Sequence, residues 1–176
     1  MTRFFTRLTR ELRHSDFGCG NDELDRWFHR IAMQAQGLHT ARTFVLVDDA
    51  VEGGSMPLAF YSLAAHSVIA AELPESEQKR MPISVPAALL ARLGVHRDWQ
   101  GGKGIGPATL RRAVRTVIDA NQNVACGLMV VDAIDERAEA FYRKFAFVSF
   151  DSENRHRRLF ARVDELEQVL ALGEPT

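Results

Sequence analysis

The stretch at residues 99–107 reads Trp-Gln-Gly-Gly-Lys-Gly-Ile-Gly-Pro, and four of the six residues from 101 to 106 are glycines. It follows an apolar run at 87–96 and precedes a helical pattern that includes Leu110. Glycine allows positive φ and lets the backbone approach a ligand with no Cβ in the way. Free N–H groups and the helix dipole at a helix start favour an anion. The sequence therefore predicts an anion-binding loop suited to phosphate.

Two common phosphate-binding patterns do not fit this loop. A Walker loop requires Gly-Lys followed by Ser or Thr, whereas Gly104 follows Lys103. A dinucleotide fingerprint requires G-x-G-x-x-G, but the sixth position is Pro107 when counted from Gly102 and Thr109 when counted from Gly104. Neither pattern identifies a ligand, and from the loop alone a tight strand-to-helix turn without a ligand is the alternative.

The composition indicates a soluble globular protein that forms one domain over residues 1–176. Hydrophobic residues make up 46% of the chain and charged residues 26%. The formal net charge is −1, so binding to nucleic acid would need a local basic patch. Cys19 and Cys126 match no metal-ligand spacing and form no disulfide framework. We find no signal peptide or membrane-spanning run, and we expect a cytoplasmic protein with no membrane partner.

Local patterns predict an α+β fold. In chain order they indicate a strand at 3–9, a helix from Asn21 or Asp22 to Gly37, strands at 43–47 and 58–69, a connector with one helical turn at 72–82, a strand at 87–96, a helix after the glycine loop, a strand at 126–131, a helix capped by Asp135, strands at 147–150 and 156–163, and a helix at 164–170. We expect a hairpin turn at Gly53-Gly54, an exposed turn at 151–154 and a buried Cys126. The first long helix should bury one apolar stripe, formed by Leu24, Trp27, Phe28, Ile31, Ala32 and Ala35.

Six further segments stand in order between residues 15 and 150. They are Phe-Gly-Cys-Gly-Asn-Asp-Glu-Leu at 17–24, Ala-Arg-Thr-Phe-Val at 41–45, Phe-Tyr-Ser-Leu-Ala at 60–64, Arg-Leu-Gly-Val at 92–95, Ala-Ile-Asp at 133–135 and Ala-Phe-Tyr-Arg-Lys-Phe at 140–145. Together with Gly104-Ile105-Gly106, which ends a Gln/Arg-x-x-Gly-x-Gly/Ala pattern, they resemble the Gcn5-related N-acetyltransferase (GNAT) superfamily. Within it they resemble the tRNA-acetylating toxins of bacterial type II toxin–antitoxin modules. The sequence departs from the family at the doubled Gly101-Gly102, which adds one residue, and at Ala146, where the family usually has glycine.

The resemblance implies a GNAT-type fold, in which helices flank a central, mostly antiparallel twisted sheet with a splayed acetyl-CoA cleft. It also implies acetyl-CoA as cosubstrate and no metal. The acetyl arm would lie along the strand that carries Leu93, Gly94 and Val95. The pyrophosphate would meet the loop residues Gln100, Gly101, Gly102, Lys103, Gly104, Ile105 and Gly106.

Tyr142 is the residue that the resemblance implies as the catalytic acid. When an amine attacks the thioester, a CoA thiolate leaves, and a phenol with a pKa near ~10 can protonate it. The alternative is a packing role beside Phe141 and Phe145, with the hydroxyl bonded to backbone. The strands at 43–47, 58–69 and 87–96 contain no Asp or Glu that could act as a base. An α-amino group, with a pKa of roughly 7.7–8.0, therefore suits this chain better than a lysine acceptor, although water or His66 could also serve as base.

The resemblance further implies that an aminoacyl-tRNA is the substrate and that its N-acetylation blocks translation. Candidate tRNA-binding cations are Arg42, Lys79, Arg80 and Arg92, with further arginines at 3, 7, 10, 13, 155, 157 and 158. The expected partner is a ribbon-helix-helix antitoxin, and dimerisation is common in the resembling family. Two alternatives remain: an acetyltransferase for a small amine or a protein N-terminus, and a CoA-binding module without catalysis.

Overall fold

The computed structural model describes residues 3–49, 56–150 and 157–173. The turns expected at Gly53-Gly54 and at 151–154, and the candidate cation Arg155, lie outside these described residues. The chain divides into two compact units. The first unit comprises Met1–Ala64 and Ala91–Ala113, and the second comprises Ala65–Leu90 and Val114–Thr176. A single domain over 1–176 stays a prediction.

The first unit begins with a three-stranded antiparallel arrangement. Its elements are β1 (Arg3–Arg7), α1 (Arg10–Arg13), α2 (Asp22–Arg26), a π-helical turn (Trp27–Ile31), α3 (Ala32–Gly37), β2 (Arg42–Asp48) and the first part of β3 (Met56–Ile69). β1 pairs antiparallel with β2, and β2 pairs antiparallel with β3. This confirms the expected pairing of 43–47 with 58–69. Phe17, Phe28 and Phe60 pack together at the centre of this unit's core, with ring centroids 4.8–5.5 Å apart.

The helix predicted from 22 to 37 forms, but its apolar stripe is interrupted. Asn21 caps the helix as predicted, because its side chain accepts a hydrogen bond of 3.0 Å from the Leu24 N–H. The π-helical turn at Trp27–Ile31 then adds one residue to a helical turn. The predicted burial of Ile31 is therefore wrong: Ala32 is fully buried and Ile31 is 45% exposed.

The remaining elements follow β3 along the chain. They are a 3₁₀ turn (Ala70–Glu72), α4 (Glu75–Gln78), β4 (Ser84–Val95), a second 3₁₀ turn (Arg97–Trp99), α5 (Ile105–Asn121), β5 (Leu128–Asp132), α6 (Glu136–Arg143), β6 (Val148–Ser149), β7 (Arg158–Arg162) and α7 (Val163–Gly173). Strands β3 and β4 and helix α5 each contribute residues to both units. The second unit has its own core, in which Leu128, Val130, Phe150 and Phe160 are buried. Cys126 lies before β5 and is half-buried, so its expected place in a buried strand is wrong.

Among the described residues, seven strands form a sheet in the order β1-β2-β3-β4-β5-β7-β6. β4 and β5 are parallel, whereas β5 with β7 and β6 with β7 are antiparallel. The α+β class with a mostly antiparallel sheet is therefore confirmed. The pairing of β4 with β5 covers Ala87–Leu90, and the last five residues of β4, at 91–95, lie beyond this paired stretch. No helix of the described residues combines the length and the apolar character needed to cross a membrane.

Candidate functional site

The glycine loop has the backbone conformation that its sequence predicts. Gly101, Gly102 and Gly104 have φ values of +72°, +85° and +74°, which lie in the left-handed region. A Cβ built at any of these three positions would meet no heavy atom within 4 Å, so the space beside the loop is open. Helix α5 begins at Ile105, immediately after these glycines. The loop can therefore present main-chain N–H groups to an anion at a helix start.

Two side chains anchor the loop and its helix. Ile105 is buried against Leu46, Leu58 and Ala59, so its side chain points into the core and only its main chain is available to a ligand. Trp99 packs against the same cluster. The start of α5 is thereby fixed by apolar contacts on the protein side.

Two cations lie on the Trp99 ring. The Arg3 guanidinium carbon is 4.6 Å from the ring centroid, and the Lys103 ammonium is 5.2 Å from it. Lys103 also donates a hydrogen bond of 2.6 Å to the carbonyl oxygen of Asp98. The sequence predicts Lys103 in the loop, but nothing in it indicates that Arg3, which lies ninety-six residues before Trp99, packs on the same ring. The positive charge beside the loop complements an anionic ligand.

Two predicted ligand-binding residues at the end of β4, Gly94 and Val95, have contacts within the protein. A Cβ at Gly94 would lie 2.7 Å from Cε1 of Phe60, so this glycine permits the close approach of a core aromatic ring. The carbonyl oxygen of Val95 accepts a hydrogen bond of 2.8 Å from the Gln100 side chain and is already occupied. Leu93 is half-buried. Contacts of Leu93, Gly94, Val95 and Gln100 with acetyl-CoA stay predictions.

Tyr142 lies near the end of α6 in the second unit. Asp135 caps this helix as predicted, accepting a hydrogen bond of 2.7 Å from the Ala138 N–H. The tyrosine is 6% exposed, and its ring packs on Phe141 and Phe147 at centroid distances of 5.2 and 5.8 Å. Burial raises the pKa of Tyr142 above its ordinary value of about 10. The residue therefore holds its proton at neutral pH, as a general acid must.

The Tyr142 hydroxyl has no hydrogen-bond partner within the described part of the chain, so the alternative of a hydroxyl bonded to backbone is not observed there. Among described side chains, the fully enclosed polar atoms without a partner are Arg13 Nε and Arg92 Nε. The Tyr142 oxygen is not one of them. Within the described residues, no hydrogen bond engages this hydroxyl.

One of the observed strands contains a carboxylate that its predicted range does not include. β2 extends to Asp48, one residue past the predicted strand, and so contains a carboxylate. That carboxylate is buried and ion-paired, with its Oδ2 3.1 Å from Arg3 Nε. His96 is also buried, and its Nδ1 accepts a hydrogen bond of 3.2 Å from the Asp98 N–H, as expected of an ordinary hydrogen-bonded histidine. Both groups already have partners within the protein. The search of the described residues finds no group of His, Cys, Asp and Glu side chains arranged to hold a metal ion.

The four candidate tRNA-binding cations fall into two kinds. Lys79 and Arg80, in the second unit, are exposed and have no ion pair among the described residues. Arg42 donates hydrogen bonds of 2.7 Å to the Gln36 carbonyl oxygen and to His39 Nδ1. Its guanidinium therefore holds the end of α3, and Arg42 is less available to a phosphate than predicted.

Arg92 is also engaged within the protein. Its Nη1 donates a hydrogen bond of 2.7 Å to the Ala91 carbonyl oxygen, and its guanidinium carbon lies 5.7 Å from the Trp27 ring centroid. Its Nη2 is 3.6 Å from the exposed carboxylate of Glu23. The two described arginines near the C-terminus are paired with acids: Arg157 with Glu136 and Glu139, and Arg158 with Asp132. Lys79 and Arg80 are thus the least engaged of these four candidates.

Comparison with known proteins identifies similar chains. No protein-family model matches the sequence. A protein of Mycobacterium tuberculosis (strain ATCC 25618 / H37Rv) named tRNA-acetylating toxin is 31% identical over 148 residues, which cover 84% of this chain and 86% of that protein.

Two solved structures share the fold and part of the sequence. The first is AtaT complexed with acetyl-methionyl-tRNAfMet, with a TM-score of 0.84 and 25% identity over 96% of this chain and 99% of that one. The second is AtaTR bound with AcCoA, with a TM-score of 0.80 and 25% identity over 96% of this chain and 98% of that one.

Proposed function

The chain belongs to the family of tRNA-acetylating toxins, and from this membership we propose that it transfers the acetyl group of acetyl-CoA to the α-amino group of an aminoacyl-tRNA. The observation that carries the proposal is the glycine loop before α5. Its three left-handed glycines leave open space for the pyrophosphate of acetyl-CoA, and Lys103 adds positive charge beside it. Acetylation of the α-amine removes the nucleophile that peptide bond formation requires, so translation stops.

The chemistry requires one proton donor from the protein. Acetyl-CoA supplies an activated thioester, whose carbonyl carbon the neutral α-amine attacks. A C–N bond forms, the C–S bond breaks, and the amine loses a proton to water. Tyr142 gives its proton to the departing CoA sulfur and recovers one from solvent. Tyr142 holds its proton at neutral pH and so has one to give.

The acceptor is proposed to be an α-amine because the central strands β3 and β4 hold no carboxylate that could deprotonate a lysine. The strands β3 and β4 contain no Asp or Glu, and the carboxylate of Asp48 in β2 is paired with Arg3. An α-amine with a pKa of roughly 7.7–8.0 is partly neutral at pH 7, whereas a lysine ε-amine near ~10.4 is not. The protonated α-amine of an aminoacyl ester has a lower pKa still.

We propose that contact with tRNA phosphates is made by the cations that have no ion pair among the described residues. Lys79 and Arg80 are exposed, and charge neutralisation of phosphates by such residues gives binding that weakens with salt. Arg92 is a second candidate, because the carboxylate that it approaches is exposed and weakly held at 3.6 Å.

The remaining proposals follow from family membership. We propose that a ribbon-helix-helix antitoxin neutralises this chain, that the chain can form a homodimer, and that it acts in the cytoplasm, where charged tRNA is present. Gene neighbourhood tests the first of these, because an antitoxin gene should adjoin the toxin gene.

One assay separates this function from the alternatives. Labelled acetyl-CoA is offered with charged tRNA, with deacylated tRNA, and with a panel of peptides and polyamines. We expect label on charged tRNA only. Label on peptides or polyamines would instead indicate an acetyltransferase for small amines or protein N-termini, and CoA binding without any transfer would indicate a non-catalytic module.

A further inference from the structure

The side chain of Gln100 lies between two main-chain carbonyl groups. Its Nε2 donates hydrogen bonds of 2.7 Å to the carbonyl oxygen of Cys19 and 2.8 Å to that of Val95. An amide nitrogen has two N–H donors, so both are used inside the protein. Gln100 thus links the start of the glycine loop, the last residue of β4 and a segment eighty-one residues away in sequence.

The segment that receives Gln100 is itself held in place. The Gly18 carbonyl oxygen accepts a hydrogen bond of 2.9 Å from the Arg97 N–H, and the Cys19 N–H donates one of 2.8 Å to Asp25 Oδ1. A Cβ at Gly18 would lie 2.5 Å from Arg97 Nη2, so this glycine allows the segment to lie directly against the turn before the loop. Asp25 belongs to α2, which gives Cys19 a fixed support.

The first two glycines of the loop have little to hold their conformation. Gly101 and Gly102 follow Gln100, carry no side chains and have no atoms packed where a Cβ would stand. Glycine has more backbone freedom to lose than any other residue, so an unbraced loop would pay a large entropic cost when it binds an anion. Binding improves when such a cost is met before the ligand arrives.

We propose that Gln100 is a positioning residue for acetyl-CoA binding: its two donated hydrogen bonds hold the first residue of the loop in the conformation that meets the pyrophosphate. The inference rests on the proposed function only in naming acetyl-CoA as the ligand. It replaces direct contact of the Gln100 side chain with the ligand by an indirect role through Cys19 and Val95.

The test compares three variants at position 100 with a matched charge control. Gln100→Glu replaces both donors with a carboxylate that faces two carbonyl oxygens, and Gln100→Met removes the donors without adding charge. Gln100→Arg restores donors, in keeping with the Gln/Arg choice in the loop pattern. Gln34→Glu makes the same charge change at an exposed position of α3. The readouts are the calorimetric Kd for acetyl-CoA, and kcat and KM for each substrate.

We expect Gln100→Glu to raise the Kd and KM for acetyl-CoA by about tenfold or more, since two hydrogen bonds are lost. Gln100→Met should raise both by about threefold to tenfold, and Gln100→Arg should restore them to within about threefold of wild type. The kcat at saturation, the KM for tRNA and the properties of Gln34→Glu should stay within about twofold, because the chemical step and the acceptor contacts are unchanged.

Two results would overturn the role of Gln100: wild-type affinity for acetyl-CoA in Gln100→Glu, or an Arg variant that binds as weakly as the Met variant. Failure of the proposed function looks different. In that case the wild-type chain binds acetyl-CoA but does not acetylate charged tRNA, and the Kd series at position 100 still decides the positioning role.

Discussion

The glycine loop and the Tyr142 region, which we define as residues 136–149 from α6 to β6, are built in opposite ways. The loop is open and carries glycines with positive φ. It presents main-chain N–H groups to a ligand, so ligand binding depends on its backbone conformation. The Tyr142 region packs aromatic rings around the tyrosine, and its proposed role in proton transfer depends on one side-chain oxygen. Changes at the loop should therefore alter the binding of acetyl-CoA, whereas a change at Tyr142 should alter turnover. The predictions below test this division.

The largest effect is expected from Tyr142→Phe. Loss of a general acid typically costs 10²–10⁴-fold, so kcat should fall by at least about 100-fold while the Kd for acetyl-CoA stays within about twofold. The chain has two tyrosines, and Tyr61→Phe is the matched control because Tyr61 lies in the core of the first unit. Single-turnover acetylation of charged tRNA is the measurement. Full turnover in Tyr142→Phe would remove this hydroxyl from the mechanism.

The second effect concerns backbone conformation at Gly104. An L-residue at positive φ costs roughly 1–2 kcal/mol, and Gly104→Ala should therefore raise the Kd for acetyl-CoA by about tenfold. Gly37→Ala is the control, because a Cβ at Gly37 would meet no heavy atom within 4 Å and its φ is not positive. The free loop of Gly104→Ala can relax away from positive φ, so the cost reappears when the loop binds acetyl-CoA; Gly37→Ala should bind acetyl-CoA like wild type. Equal affinity of the two variants would refute the loop as the anion site.

The third effect concerns the acceptor. Replacing both Lys79 and Arg80 by alanine should raise the KM for tRNA several-fold. It should also reduce the slope of log K for tRNA binding against log salt by the amount expected for about two phosphate contacts. The Kd for acetyl-CoA should not change. Arg42→Ala is the contrasting variant and should mainly lower the melting temperature, because its guanidinium holds the end of α3. Titration calorimetry at several salt concentrations provides the comparison, and an unchanged salt slope would exclude the Lys79–Arg80 pair.

A fourth, smaller effect concerns pH. Because the folded chain raises the pKa of Tyr142, the unfolded chain loses this proton first as pH rises. The contribution of the protonated Tyr142 to the free energy of unfolding is present in full below about pH 10 and is lost as pH rises above that value. Urea unfolding at pH 9 and at about pH 10.5 should therefore show a smaller loss of stability in Tyr142→Phe than in wild type. A larger loss in the variant would contradict the direction of the pKa shift.

The smallest effect is expected at Ala146, which has a φ of +66°. Left-handed backbone is costly for alanine and not for glycine, which explains why the family usually has glycine at this position. Ala146→Gly should raise the free energy of unfolding by up to about 1 kcal/mol without changing kcat or the Kd for acetyl-CoA. Chemical denaturation measures the gain, and a clear loss of stability would show that the position is not strained.

Local interactions made much of the fold predictable from sequence. Caps at Asn21 and Asp135 and the pairing of 43–47 with 58–69 depend on residues close in the chain or on simple alternation. The π-helical turn at Trp27–Ile31 was missed because nothing in the apolar spacing distinguishes it from a regular helix.

The candidate site was predictable only where its residues lie in one short motif. Positive φ at the glycines follows from the residue type itself. By contrast, the placement of Arg3 on Trp99, the burial of Asp48 beside Arg3, and the bridge from Gln100 to Cys19 all join segments far apart in sequence. These contacts depend on tertiary packing, which periodicity does not encode.

The most direct test is to locate the acetyl group on its acceptor. Charged tRNA is incubated with acetyl-CoA and the protein, digested with ribonuclease, and the terminal aminoacyl-adenosine is analysed by tandem mass spectrometry. We predict one added acetyl group on the α-nitrogen of the amino acid, absent with deacylated tRNA and nearly absent with Tyr142→Phe. An unmodified aminoacyl-adenosine, or an acetyl group on the nucleotide, would contradict the account.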